Sequence, residues 1–508
     1  MSEKYLLEDL LNRYLYSERS AGWFGEKEFS DVYKDFLCDD SCSSSRILPI
    51  EVLSWEEKNC IIFTDIRKIY CSIMPSYAGD EIIEGYLTTD LEKSEDKIVL
   101  LPTTDYPDNI WIFYNIAVEK RAKAVIFYDY YPHRKRRIVV SGEWGYWYNK
   151  SVRPPIPVAH IRLEDLYTLK KMINKKISMY VSSEKKFSTG YIVEAYFPGR
   201  KDDEIIISVH HDSWFTGFRD DIIGVLTLYM IKRRLNKYKK TLENSMRLIS
   251  FTAEEYGDPT ESAWYWAYGS KKYLETYIRE PDVPIISIVL DLAFKEPLTL
   301  SYSAPDLERI VRETTELDIS STSDYGSPYM DSISFIRRGL PTISLHNFYE
   351  AQPLYHTDLD IEFGGWHIIA EKIAYNIVKL ADKIDLGRLK ADILKESLYR
   401  EVPQKFRDKL LSIIEFSERH NKLYGLFSCF GKILLKPIVI NSYRELYNDI
   451  VMRPMPQMIL LTKKEVSRII IPGEERIIDR EEKDLDYIVR DLLNDIEMFD
   501  KCVKDSKL

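Results

Sequence analysis

Glutamine is almost missing from this chain of 508 residues: only Gln352, Gln404 and Gln457 occur, among 71 lysines and arginines and 81 aspartates and glutamates. Few thermolabile amides amid many charges is a bias that leans toward a thermophilic source. Cysteine is scarce too. Cys38, Cys42, Cys60, Cys71, Cys429 and Cys502 are the six, too few for a dense disulfide framework. Cys38-x-x-x-Cys42 has no second pair nearby to complete a metal site, and we read it as coincidental. No uncharged apolar run approaches the roughly 18 residues of a membrane-spanning helix. The first residues, MSEKYLLEDLLNRYLYSERS, mix acids and bases where a signal peptide would carry an apolar core. The expectation is a soluble, cytoplasmic protein with no membrane partner. A formal net charge of −10 leaves no broad basic surface, which speaks against nucleic acid as a partner.

What is present is a globular composition, 45% hydrophobic and 30% charged, in a length that suggests about three domains. One stretch organises the rest, Glu204 to Leu226. The run Ile205-Ile206-Ile207-Ser208-Val209 is the continuous apolar pattern of a buried parallel strand. It ends at His210-His211-Asp212, passes a loop with Gly217 to Asp220-Asp221, and enters an amphipathic helix with Ile222, Val225, Leu226, Leu228, Tyr229 and Ile231 inward. In open α/β sheets, ligands bind at the carboxyl edge of the strands. The rhythm repeats downstream. A strand over 248–253 ends at Glu254-Glu255, one over 285–290 ends at Asp291, and one over 340–345 precedes a loop carrying Tyr355-His356. The fold class is therefore α/β, a mixed, largely parallel sheet flanked by helices.

Residues 4–37 show helical periodicity, with Leu6, Leu7, Leu10, Leu11 and Tyr14 in a first helix and Phe29, Val32, Tyr33 and Phe36 in a second. From about 50 to 190 the texture is short strand-like runs broken by Pro and Gly, an inserted β-rich module. Its basic run His133-Arg134-Lys135-Arg136-Arg137 reads as a solvated loop, or else as a contact for an anionic group. A long helix begins after 365, packing through Ile368, Ile373, Ile377 and Leu380. Beyond 390 the chain reads as helical and charged, interrupted at Pro437 and Pro454-Met455-Pro456, and the tail from 474 reads as an amphipathic helix. The expected domains are 1–75 with 186–390 (catalytic), 76–185 (inserted) and 391–508 (helical, for docking or dimerisation).

His210, Asp220, Glu255, Asp291 and His356 together offer two imidazoles and three carboxylates. That donor set suits zinc, with cobalt or manganese as substitutes. A carboxylate has two oxygens, so one acid can bridge two metals, each left with a position for water. Glu254, beside a ligand but not needed as one, suits a general base. Asp212, two residues past His210, suits the group that accepts the second imidazole N–H. Glu254 and Glu255 are adjacent, so both reach one site only if the chain bends, and Gly257 is the residue expected to permit it.

His210-x-Asp212-Ser213-Trp214, Gly217, Asp220 and Gly224, with Ala253-Glu254-Glu255-x-Gly257, Asp291, Asp331-x-x-x-Phe335, Arg338-Gly339-Leu340-Pro341 and Leu354-Tyr355-His356, resemble the motifs of a known family. It is the two-zinc exopeptidase family of bacterial aminopeptidases and glutamate carboxypeptidase II, and the likeness spans about residues 190–385. The segment 76–185 resembles the protease-associated domain of the carboxypeptidase branch. The resemblance implies a zinc-dependent exopeptidase acting on peptides, with two Zn2+ per chain. His210 and Asp291 would hold one, Glu255 and His356 the other, and Asp220 would bridge. It also implies Glu254 as base, Tyr355 as oxyanion donor and a homodimer through residues 391–508. His211 and Arg219 depart from the pattern as flanking basic groups, and no paired arginines lie between Leu340 and Tyr355, so acidic peptides are not the expected substrates. An aminopeptidase is the leading expectation. A carboxypeptidase and a receptor-like protein that has lost its metals are the alternatives, and a single-zinc branch that cyclises N-terminal glutamine is a further rival.

Overall fold

The computed structural model describes residues 11–38, 42–103, 110–140, 154–238, 242–261, 265–278, 284–385, 389–441, 448–454, 468–471, 476–479 and 485–507. Leu6, Leu7 and Leu10 of the first expected helix lie outside them, and its described part is a single turn, Leu11–Leu15. The strands that position the site are β1 (Ser44–Phe63), β2 (Lys176–Phe197), β3 (Glu204–His210), β4 (Ser245–Phe251), β5 (Ile285–Leu290), β6 (Leu298–Tyr302), β7 (Ile319–Asp324) and β8 (Thr342–His346). They lie in the order β7–β6–β8–β5–β3–β4–β2–β1. The central β8, β5, β3 and β4 run parallel, while β6 and β2 join them antiparallel on either side.

Every residue of β3 is buried, because both faces of the sheet are covered. Ile205, Ile207 and Val209 point into one core with helices α1 (Glu26–Leu37), α2 (Ile223–Tyr238) and α5 (Trp366–Lys383). Ile206 points the other way, into a core shared with α3 (Tyr268–Tyr277) and α4 (Ser332–Arg338). This is the two-residue alternation of a strand, hidden in the sequence because both faces are apolar. Lying between sheet and α5, α2 buries more than the amphipathic pattern implies, Lys232 included. Within α5, Ile373, Ile377 and Leu380 are buried as expected, but Ile368 is 67% exposed and does not pack.

β1 and β2 are long strands paired from Ser44 opposite Tyr196 to Phe63 opposite Ser178. Their far halves leave the first sheet and join Lys68–Tyr70, Gly79–Thr88, Ile98–Pro102, Ala124–Tyr128 and Val158–Ile161 in the inserted module. The module has its own core, which runs from Leu53 to Val181 and also takes in Trp214 and Tyr256, residues of the loops after β3 and β4.

The C-terminal region is helical over Asp392–Glu401, Gln404–Arg419, Leu423–Cys429 and Leu485–Asp505. Between the last two lies a four-stranded sheet, Leu435–Asn441, Asn448–Pro454, Arg468–Ile471 and Arg476–Asp479. The expectation of helix here, and of a helix starting near 474, is corrected. Runs such as Ile438-Val439-Ile440 and Ile469-Ile470-Ile471 are β-branched and suit a pleated surface better than a helix. All six cysteines are paired, as Cys38–Cys42, Cys60–Cys71 and Cys429–Cys502. The first pair is thus a crosslink after α1 rather than a coincidence. No helix among the described residues is long and apolar enough to cross a membrane.

Candidate metal centre

Parallel strands deliver their ends to one edge, and the polar residues gather there. His210 is the last residue of β3, opposite Phe251 at the end of β4, and Asp291 directly follows β5. His210 Nε2 lies 3.2 Å from Asp220 Oδ1 and 3.9 Å from Asp291 Oδ1. His356 Nε2 lies 2.9 Å from Glu255 Oε2 and 3.5 Å from the other oxygen of Asp220, Oδ2. The five residues form two buried donor triads, His210–Asp220–Asp291 and Asp220–Glu255–His356, which share Asp220. Each oxygen of Asp220 faces a different imidazole.

The supports behind these groups differ from the sequence expectation in two places. Asp212 does orient His210, but through its main-chain carbonyl, 3.0 Å from Nδ1. Its carboxylate instead accepts the backbone N–H groups of Glu254 and Glu255 at 3.1 and 3.0 Å. It acts as a clamp on the Glu-Glu turn. The bend that turns both glutamates inward lies at Ala253, with φ of 57°, and not at Gly257. Gly257 is needed for space, since a Cβ there would sit 2.5 Å from that of Ala253. His356 Nδ1 faces the carbonyl of Arg137 at 3.1 Å, so its support comes from the inserted module. With each Nδ1 held by a carbonyl, each Nε2 is turned to the centre, the orientation of a metal-ligating histidine.

Both basic departures from the motif point away from the metal centre. His211 meets Ser250 Oγ at 2.9 Å and Glu26 at 3.4 Å. Arg219 pairs with Asp360 at 2.9 Å and covers the Phe363 ring, while Asp360 also accepts the N–H of Asp220 at 3.2 Å. Tyr355 stacks on the His356 ring, centroids 3.6 Å apart. The solvated-loop reading holds only for the start of the basic run, where His133 is exposed and Arg134 and Lys135 are half-buried; Arg136 and Arg137 are buried against the His356 loop. No local signal in the sequence announces that packing.

Charge decides what the centre can accept. Burial, reinforced by neighbouring carboxylates, pushes Glu254 and Glu255 well above the ordinary carboxylate range and raises Asp291. Burial alone would lower His210, but Asp220 and Asp291 outweigh it and hold its pKa well above the usual value. The side chains thus crowd more negative charge than they can neutralise. Among the described residues, one oxygen each of Glu254 and Glu255 is buried without a hydrogen-bond partner. Divalent cations meet both needs, supplying positive charge and taking up unsatisfied donor atoms, and hard-to-borderline N/O donors are what zinc accepts. The residues fit two metals.

In front of the triads a narrow cleft is lined by Asp220, Glu254, Glu255, Asp291 and His356, with Leu292, Tyr329, Met330, Phe348 and Tyr355 as its further walls. Of these walls only Tyr355 stands out in the sequence; the others belong to no motif.

Residues 192–363 match the family model described as Peptidase family M28. The match covers about a third of the chain. The matched stretch holds both donor triads and Glu254. Solved structures with a similar fold include the aminopeptidase from Aneurinibacillus sp. strain AM-1, at 19% identity over 76% of this chain and 95% of that one, TM-score 0.51. A peptidase M28 precursor from Shewanella amazonensis SB2B gives 19% identity over 76% and 94%, TM-score 0.58. A zinc aminopeptidase from Bacillus subtilis gives 17% identity over 76% and 96%, TM-score 0.53. A search of curated proteins returns no match. At these identities the structural likeness establishes the M28 fold, the mixed, mostly parallel sheet between helices.

Proposed function

We propose that this chain is an M28-type two-zinc aminopeptidase. The observation that carries the reading is the pair of buried donor triads sharing Asp220, with Glu254 beside them outside both triads and one of its oxygens buried without a hydrogen-bond partner. His210 and Asp291 would hold one ion, Glu255 and His356 the other, with Asp220 between. When bound, the ions supply Lewis acidity toward a water and the scissile carbonyl. Glu254 takes a proton from the attacking water and passes it to the leaving amine as the C–N bond breaks. Tyr355, against the cleft, is the candidate donor to the oxyanion. Asp212 keeps Glu254 in place through the backbone of the turn.

The charge of the cleft favours the amino end of a peptide over the carboxyl end. Its described lining residues include four acids and neither lysine nor arginine. With ions bound, three of those acids are ligands, so the contrast rests on the missing lysine or arginine: a free carboxylate finds no side-chain cation in the described lining. Leu292, Met330 and Phe348 suit an apolar first side chain. The test is a panel of peptides blocked at either end, assayed with zinc, cobalt and manganese. Cleavage that requires a free amino terminus is expected. Cleavage requiring a free carboxyl terminus would favour the carboxypeptidase alternative, and metal analysis finding no bound ion would favour the receptor-like one.

Three further readings go with this one. The inserted module is a protease-associated-like domain. The C-terminal region forms a homodimer, for which light scattering should give twice the chain mass. The protein works in the cytoplasm of a thermophile, since such organisms keep disulfides inside the cell; thiol trapping in fresh lysate should find all six cysteines blocked.

A further inference from the structure

The inserted module packs on the loops after β3 and β4, and a set of hydrogen bonds from it ends on the loop of His356. The backbone of 135–137 lies along 356–358. The Arg137 N–H donates to the His356 carbonyl at 3.0 Å, and the Asp358 N–H donates to the Lys135 carbonyl at 3.1 Å. The Lys135 N–H donates to the Asp358 carboxylate at 2.8 Å. The fully buried Arg136 guanidinium donates to the carbonyls of Gln352, at 3.2 Å, and of Tyr355, and pairs with the buried Asp129 at 3.1 Å. Arg134 donates to the Pro353 carbonyl. Main-chain carbonyls at 352, 353, 355 and 356 are thus all engaged from the module. His356 itself has φ of 55°, a left-handed conformation that a histidine does not favour on its own.

The other imidazole is supported differently. His210 Nδ1 is held by Asp212, two residues on. Its loop meets the module through ring contacts, Trp214 edge-to-face on Trp55 and Phe215 under the Arg137 guanidinium.

We propose that the Arg136–Asp129 pair positions His356, so that the inserted module governs occupancy of one metal position and not the other. The governed position is the one formed by Glu255, His356 and Asp220. This rests on the two-metal reading of the centre. A planar guanidinium can bond two carbonyls and a carboxylate at once, and an ammonium cannot reproduce that fork. Partners behind metal ligands are worth about 10- to 100-fold in metal affinity.

The full chain, stripped of metal, is titrated with Co2+ alone, following binding heat and the visible absorption of the bound ion. Wild type should take two equivalents. In Arg136→Lys, one equivalent should bind with unchanged affinity and the second about 10- to 100-fold more weakly. Equal weakening of both steps, or of neither, overturns the proposal while the two-metal reading stands. A wild type that takes fewer than two equivalents overturns that reading and the proposal with it. Should Arg136→Lys fail to fold, Asp129→Asn, which removes the carboxylate that holds the guanidinium against those carbonyls, is titrated instead with the same outcomes.

Discussion

His210 and His356 present the same atom to the same aspartate, yet they are held in opposite ways. The carbonyl that orients His210 is two residues away in the chain, and the one that orients His356 is 219 away. One ligand is fixed by its own strand end, within a single turn of backbone. The other sits on a loop whose carbonyls are bonded from the inserted module. Two positions of one centre can therefore differ in what they depend on, even where their ligand sets are alike.

The most severe way to break the contrast is to remove the residue common to both sides. Asp220→Ala should lose both metals and abolish turnover, whereas His210→Ala and His356→Ala should each lose one. Metal analysis of the three proteins checks this, and full retention by Asp220→Ala would sink the bridging role. Next in size is Glu254→Gln, which keeps shape but loses the proton acceptor. It should slow turnover by about 10²–10⁴-fold with metal content near normal, while Glu255→Gln should lose the His356-side metal as well as rate. Near-wild-type hydrolysis by Glu254→Gln would mean that another group is the base.

A smaller effect is expected at Cys60–Cys71, which closes the module strand that leads to Ser72. Ser72 Oγ accepts from Arg137 Nε at 3.0 Å, so this crosslink stands behind the residue that orients His356. A short-loop disulfide is worth about 2–4 kcal/mol. Cys60→Ser with Cys71→Ser should lower the melting temperature and weaken the His356-side metal before the His210 side. Equal weakening of the two would argue that the module supports the whole edge rather than one ligand.

The same contrast explains what could be read from the chain. The central strands were legible because buried parallel strands are continuous apolar runs, and the ligands because they follow those runs in order. β6 and β7 were not, since LTLSY and ISSTSD are short and half hydroxyl-bearing. His210 and its neighbour Asp212 could be linked on paper, although which oxygen of Asp212 serves which partner depends on the turn at Ala253. The partner of His356 could not be found at all. Nothing local distinguishes a basic run that clasps a loop from one that faces water, because the difference lies in residues more than two hundred positions apart.

The smallest effect concerns pH and bears on the locally held side. Burial pushes Asp331 up to about 7 and Asp360 to about 6, the latter against the lowering effect of Arg219. An aspartate in the unfolded chain titrates near ~3.9. Since both native values are raised, the folded metal-free protein binds more protons than the unfolded chain. The stability that these two groups contribute is therefore fully present below about pH 4 and is lost as pH rises through about 6 and 7, by an amount on the order of a few kcal/mol. Bound cations favour the ionised carboxylates and should oppose this loss. The charges that act on these two acids include His210, Asp291 and Asp220, so an ion on the His210 side should be the one that protects. Melting temperatures between pH 5 and 8 should fall steeply for the stripped protein and less for the loaded one. Arg136→Lys carrying only its first equivalent should behave like the loaded protein, and His210→Ala like the stripped one. If the two variants lose stability alike across that range, the two sides are coupled through Asp220 more strongly than their separate supports imply.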